Sequence, residues 1–196
     1  MHNFVIATNN QKKLKELSAI LDEFNINAKS MKEAGINTEI EEDGLTFEEN
    51  ALIKARTVCK LSGCPAVADD SGLCVEALNG EPGIYSARYG GDKCQNDIDR
   101  YELLIYNMKN MENRKAYFVS AVACVFPDGR EFTVRGTVDG EILCAPQGEN
   151  GFGYDPIFYI EQYKKTMAEI EPEIKNKISH RANALKLFVK ELEKYI

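Results

Sequence analysis

The chain has 196 residues, 44% of them apolar, enough for one large domain or two lobes sharing a core. A formal net charge of −7 argues against a general nucleic-acid binder, which would carry a basic face. No apolar stretch is long enough to span a bilayer and no secretory leader is visible. The six cysteines form no Cys-x-x-Cys pair, and the two histidines, His2 and His180, lie too far apart to suggest a zinc site. These features predict an intracellular protein with reduced thiols.

In chain order, the apolar run from Phe4 to Ala7 predicts a buried strand, and Thr8-Asn9-Asn10 supplies the cap of a following helix. Leu14, Leu17, Leu21 and Phe24 then recur at helical spacing. The start of that helix suits an anion, and Lys13 lies in its first turn, where a cation opposes the helix dipole. It is either a solvated lysine or one that reaches for a phosphate. A second strand is expected within 26–31, followed by an acidic loop carrying Glu39, Glu41, Glu42 and Asp43. Thr46 and Glu49 have the spacing of a capping box, and Phe47, Ala51, Ala55 and Val58 share one face of the helix it opens. Lys54, flanked by Ile53 and Ala55, would run its stem over apolar surface and present its ammonium at an edge. Gly63 ends this helix.

A short strand is expected to end at Asp69, with Asp69-Asp70-Ser71-Gly72 as the following turn and Leu73–Leu78 as the returning strand. Residues 79–83 make a turn, and residues 84–91 read as a loop in which Arg88 could fork onto a phosphate. A helix over 98–111, a hairpin of strands over 116–126 and 131–138, a glycine-rich stretch at 148–154, and a final amphipathic helix capped by Ser179 follow. Strand-helix units, then a hairpin, then a closing helix predict a mixed α/β sheet.

Two adjacent carboxylates at the end of a buried strand are costly unless neutralised. A hard divalent cation does this with one or two carboxylates plus substrate phosphate oxygens. Acid for metal and lysines for phosphate together suggest an enzyme acting on a phosphorylated small molecule. The alternative is an ordinary strand-end turn, since Asp, Ser and Gly all favour turns.

Taken together, several segments in order along the chain resemble the inosine triphosphate pyrophosphatases, which act on non-canonical purine nucleoside triphosphates. They are Thr8–Lys13, Glu41–Phe47, Glu49–Ala51 with Lys54-Ala55, Ala68–Leu73, Pro82–Tyr89, Gly151–Phe158 and Ile178–Arg181. Asn9 stands where other members often carry Gly. The resemblance implies a single domain over 1–196, with an elongated two-lobed α/β fold around a long mixed β-sheet, flanking helices and the active-site cleft between lobes. It also implies hydrolysis of ITP, dITP and XTP to the monophosphate and pyrophosphate, with Mg²⁺ as cofactor and Mn²⁺ as a possible substitute. A cytoplasmic homodimer with no nucleic-acid or membrane partner is expected.

Carried over by position, Thr8, Asn10 and Lys13 would bind the triphosphate, with Lys54 a further phosphate candidate. Asp70 would be general base and metal ligand, with Glu41 or Glu42 as its partner and Glu41 favoured. Ser71, Phe152, Gly153, Tyr154, Asp155, Lys175, His180 and Arg181 would hold the nucleotide, Phe152 offering an aromatic face to the purine. A related family typified by septum-formation inhibitors is the nearest rival; the segment 151–155 and the His180-Arg181 pair argue against it. A catalytically silent nucleotide sensor is a second rival, and the filled carboxylate positions favour catalysis.

Overall fold

The computed structural model describes residues 4–195, so His2 lies outside the described residues. Seven strands form one mixed sheet in the order β2-β1-β3-β4-β5-β6-β7. They are β1 (Phe4–Ile6), β2 (Ala28–Ser30), β3 (Ala66–Val75), β4 (Lys115–Val125), β5 (Glu131–Ile142), β6 (Phe158–Ile160) and β7 (Lys165–Thr166). Strand β1 runs parallel to β2 and β3, with Val5 opposite Lys29 and Ala66, whereas β6 is antiparallel to β5 and β7. The helices are α1 (Gln11–Glu23), α2 (Phe47–Ser62), α3 (Asp97–Asn107), α4 (Pro172–Ile178) and α5 (His180–Leu192). None of the helices among the described residues is long and apolar enough to cross a membrane.

The chain divides into two compact units. One comprises the residues up to Asp70, Ser120–Gly136 and Arg181 onward; the other comprises Ser71–Val119 and Thr137–His180. Strands β3, β4 and β5 each contribute to both.

In the first unit, the two-residue period of the strands sorts side chains onto two layers. Phe4, Ile6, Val67, Val122 and Cys124 pack with Leu17 and Leu21 of α1 and Leu185 and Phe188 of α5. Their neighbours Val5, Ala7, Ala66, Ala68, Ala123 and Val125 pack with Ala51, Ala55 and Val58 of α2. Small residues on this second face let α2 lie close to the sheet. In the second unit, Leu73, Val75, Phe118, Ile142 and Phe158 form a core with Tyr101, Leu104 and Met108 at and just beyond α3.

Local chemistry sets the element boundaries. Asn10 caps α1, its Oδ1 accepting from the amides of Lys12 and Lys13 at 3.0 and 3.2 Å. Thr46 caps α2 by accepting from the Glu49 amide. Glu49 does not close the expected capping box onto Thr46; its carboxylate instead accepts from the Leu45 amide at 2.6 Å. Gly63 ends α2 at φ +65°, in the left-handed region that glycine tolerates.

Several expectations are corrected. Residues 69–72 are no turn and Leu73–Leu78 no returning strand: β3 continues through to Val75 as one ten-residue strand, and Glu76–Leu78 is a 3-10 turn. Pairing of the two aspartates with cations overrides their turn preference. The expected loop after Pro82 contains a 3-10 helix over Gly83–Arg88, and Arg88 is exposed with its guanidinium over the Tyr85 ring, 5.0 Å from the centroid. Helix α3 stops at Asn107, short of 111. Strand β5 runs to Ile142, beyond 138.

Candidate active site

Because β3 is continuous, Asp69 and Asp70 point to opposite faces of it. Asp69 follows Val67 towards α1 and α5, and Asp70 follows Ala68 towards α2. Each aspartate therefore meets its own set of partners in the first unit.

Asp69 is wholly buried. Arg181 Nε donates to its Oδ2 at 3.2 Å, and Lys13 Nζ stands 3.5 Å from its Oδ1. The Arg181 guanidinium also donates through Nη1 to Glu16 of α1. Burial pushes the Asp69 carboxyl up, but Lys13, Arg181 and Lys54 outweigh it and hold the group well below the usual carboxylate range. Asp69 is thus a fixed anion. Lys13 is lowered from the ordinary lysine value, chiefly by burial, with Asp69 working against that shift.

Asp70 has weaker compensation. Asn50 Nδ2 donates to its Oδ2 at 3.1 Å, and Lys54 Nζ lies 3.6 Å from Oδ1. Burial raises its pKa, the nearby charge of Glu42 adds to that, and Lys54 and Lys13 only partly offset them. Lys54 makes its shorter contact, 2.8 Å, with Glu42. Burial opposes its charge, yet Asp70, Asp69 and Glu42 raise its pKa overall. Asn50 is held in turn by the Gly44 amide, which donates to its Oδ1 at 2.9 Å. A Cβ on Gly44 would meet that same oxygen at 2.7 Å, so glycine is required there.

The glutamates differ in placement. Glu42 reaches Lys54 and through it the neighbourhood of Asp70, while Glu41 is exposed. Thr8 accepts from the Asn10 amide through Oγ1 at 3.2 Å, so Thr8, Asn10 and Lys13 lie together at the start of α1. No acidic side chain occupies the first turn of that helix, which leaves its dipole available to an anion.

In the second unit a separate cluster forms around Asp155. Its Oδ2 accepts from the Phe152 amide at 2.8 Å and from Lys175 Nζ of α4 at 2.7 Å. Lys175 Nζ also lies 5.1 Å from the Phe152 ring centroid, a cation–π contact. Gly151, at φ +76°, lets the chain pass Asp155; a Cβ there would come within 2.1 Å of the carboxylate. The Gly153 amide donates to Asp97 at 2.9 Å. Tyr154 is buried with its hydroxyl donating to the Ser86 carbonyl at 2.8 Å, and burial pushes its phenol up. His180 is buried with its ring stacked on Phe118, centroids 4.8 Å apart. Ser71 is half-buried on β3, next to Asp70 in the chain.

Sequence reasoning gave no role to Asn50, Glu16 or Asp97, and it read Asp69 with Asp70 as neutralised by a divalent cation, whereas Asp69 is held by Arg181 and Lys13. Asp69 and Asn50 stood inside quoted segments, so the signal available was a polar residue at a buried register of a strand or helix. Glu16 and Asp97 had no such signal.

Comparison with known proteins agrees along the whole chain. The Ham1 family profile matches residues 4–191. The chain is similar to the dITP/XTP pyrophosphatase of Clostridium tetani, at 44% identity over 100% of this chain and 98% of that one. It is likewise similar to the dITP/XTP pyrophosphatase of Geobacter sulfurreducens, at 45% identity over 95% and 94%. Among solved structures, the Staphylococcus aureus Ham1 protein superposes with a TM-score of 0.87 at 43% identity, covering 99% of this chain and 100% of that one. A HAM1 protein from Coxiella burnetii gives 0.89 at 39% identity with the same coverage.

Proposed function

This chain belongs to the Ham1 family, and on that premise we propose that it hydrolyses dITP, ITP and XTP to the monophosphate and pyrophosphate. The proposal extends to a single domain over 1–196 that works as a cytoplasmic homodimer on free nucleotides. The observation that carries it is the setting of Asp70, a carboxylate buried on β3 that Asn50 Nδ2 holds at 3.1 Å and the Lys54 ammonium approaches at 3.6 Å. A carboxylate in that state is a stronger base than its exposed counterpart and is suited to taking a proton from water.

The residues present fit a divalent cation. Asp70 with Glu42 or Glu41 offers one or two hard oxygen ligands, the protein share with which Mg²⁺ binds alongside substrate phosphates. When bound, Mg²⁺, or Mn²⁺ in its place, supplies charge for the phosphate oxygens and acidifies a water. The chain's own groups do the rest. Asn50 fixes the direction of the Asp70 carboxylate, and Asp70 accepts the proton of the attacking water at its oxygen. Lys13 and Lys54, now on carboxylates, turn to the triphosphate and balance charge on the departing pyrophosphate. Thr8, Asn10 and the start of α1 receive the phosphate chain.

Ser71, Gly153, Tyr154, Asp155 and Lys175 line or support the nucleoside, and Phe152 stacks on the purine. Arg181 carries only donors and His180 can donate from a ring nitrogen, which suits the 6-keto oxygen of hypoxanthine and xanthine and penalises the 6-amino group of adenine. An unpaired buried donor costs about 1–3 kcal/mol, or roughly ten- to hundredfold in selectivity. Guanine shares the 6-keto group and is excluded at its 2-amino position.

Incubation with a panel of dITP, XTP, dATP and dGTP plus Mg²⁺ tests the proposal. The expected products from dITP and XTP are monophosphate and pyrophosphate in one step, with little turnover of the other two. Stepwise release of orthophosphate would contradict it.

A further inference from the structure

We propose that Asp97 is a positioning residue that holds the Phe152 ring in place for the purine, an inference that rests on the stacking role given to Phe152 above. Asp97 is the first residue of α3, whose cap is the preceding Asn96, accepting from the Asp99 amide at 3.0 Å. Asp97 is therefore not needed as the cap. Its Oδ2 instead accepts from the Gly153 amide, 56 residues along the chain, at 2.9 Å. Its Oδ1 accepts from Arg100 Nη1 at 3.2 Å, one helical turn on, which steadies the carboxylate.

The consequence lies at Phe152. A residue's φ is set by the peptide plane before it and its ψ by the plane after it. The Phe152 amide is in the plane before, and it donates to Asp155 at 2.8 Å. The Gly153 amide is in the plane after, and it donates to Asp97 at 2.9 Å. Two carboxylates from different elements thus anchor both backbone dihedrals of Phe152. Asp155 is itself fixed by Lys175, whose ammonium also approaches the Phe152 ring. Gly153 takes φ +63°, and a Cβ there would meet no atom within 4 Å. Its glycine answers to backbone conformation rather than to space.

Without Asp97 the plane after Phe152 loses its anchor, and the ring must be ordered when the nucleotide binds. That cost falls on base binding. It does not fall on Lys13 and Lys54, whose ammonium groups stand on Asp69, Asp70 and Glu42.

The test compares wild type, Asp97→Ala and Asp97→Asn by steady-state kinetics on dITP, and by calorimetric binding of inosine monophosphate and of inorganic pyrophosphate. Asp97→Ala is expected to raise KM for dITP and weaken inosine monophosphate binding by about tenfold each, the effect of losing a charge-assisted hydrogen bond. It should leave kcat within about threefold and pyrophosphate affinity unchanged. Asp97→Asn keeps an oxygen that accepts from the Gly153 amide, so it should restore most of the loss. Unchanged KM and monophosphate affinity in Asp97→Ala, with an active wild type, would overturn the role of Asp97 alone. Equal loss of monophosphate and pyrophosphate binding, with a lowered Tm, would make Asp97 a structural residue and likewise overturn it. A wild type that leaves dITP and XTP intact would remove the nucleotide reading on which the role depends.

Discussion

The charged cluster on β3 and the one around Asp155 are built from the same residue types and differ in tightness. In the first, the lysines meet the aspartates only at length: Lys13 stands 3.5 Å from Asp69, and Lys54 stands 3.6 Å from Asp70 while holding Glu42 at 2.8 Å. In the second, Asp155 takes Lys175 at 2.7 Å and a backbone amide at 2.8 Å on one oxygen. Long ion-pair distances mark cations that a more highly charged partner can recruit. Short, amide-supported ones mark a scaffold. The first cluster is therefore the better suited to chemistry that moves charge, and the second to holding an aromatic face still.

Breaking the tight cluster should give the largest effect on stability. The Lys175 and Asp155 side chains are 6% and 5% exposed, so Lys175→Ala leaves a buried carboxylate without its cation. A loss of about 3–5 kcal/mol is expected in urea unfolding. A loss under about 1 kcal/mol would show that this pair is no tighter in effect than the loose one.

Weakening the loose cluster should act on turnover more than on stability. Lys13→Ala and Lys54→Ala are each expected to lower kcat/KM by roughly ten- to hundredfold, from about 1.5–3 kcal/mol per charge-assisted contact. The factor should be similar for dITP, XTP and dATP, because a phosphate contact carries no information about the base. A strong change in the ratio of dITP to dATP turnover would move that lysine from the phosphates to the base.

Much of this architecture was legible in the sequence, for physical reasons that differ by element. Asn10, Thr46 and Gly63 announce helix ends through local chemistry, and each does so in the structure. Phe132 and Val134 alternate as a strand should, and the Asp128-Gly129 turn before them closes a hairpin, with Gly129 at φ +88°. What failed depended on distant partners. The strand through residues 69–72 is held by cations from α1, α2 and α5, and no local rule sees them. Strands β6 and β7, of three and two residues, and the seven-residue α4 are too short to show a period. The candidate residues themselves were legible by resemblance. Their pairing was not: nothing in the order of residues separates an aspartate pinned by Arg181 from its neighbour that is not.

That separation is the central claim, and Asp70→Asn tests it most directly. The folded-state pKa of Asp70 is raised, so the protein holds this proton more tightly folded than unfolded, and ionising the group at neutral pH costs stability. Replacing it with neutral, isosteric Asn should leave Tm at pH 8 unchanged or higher, with the advantage shrinking as pH falls through the raised folded pKa and gone below about pH 4, where the aspartate is protonated in both states. Turnover of dITP should fall by at least ~10²-fold, the usual loss on removing a general base. Turnover within a few-fold of wild type, or a clear drop in Tm at pH 8, would contradict the account: the first would remove Asp70 from the chemistry, the second would make it a structural anion like Asp69.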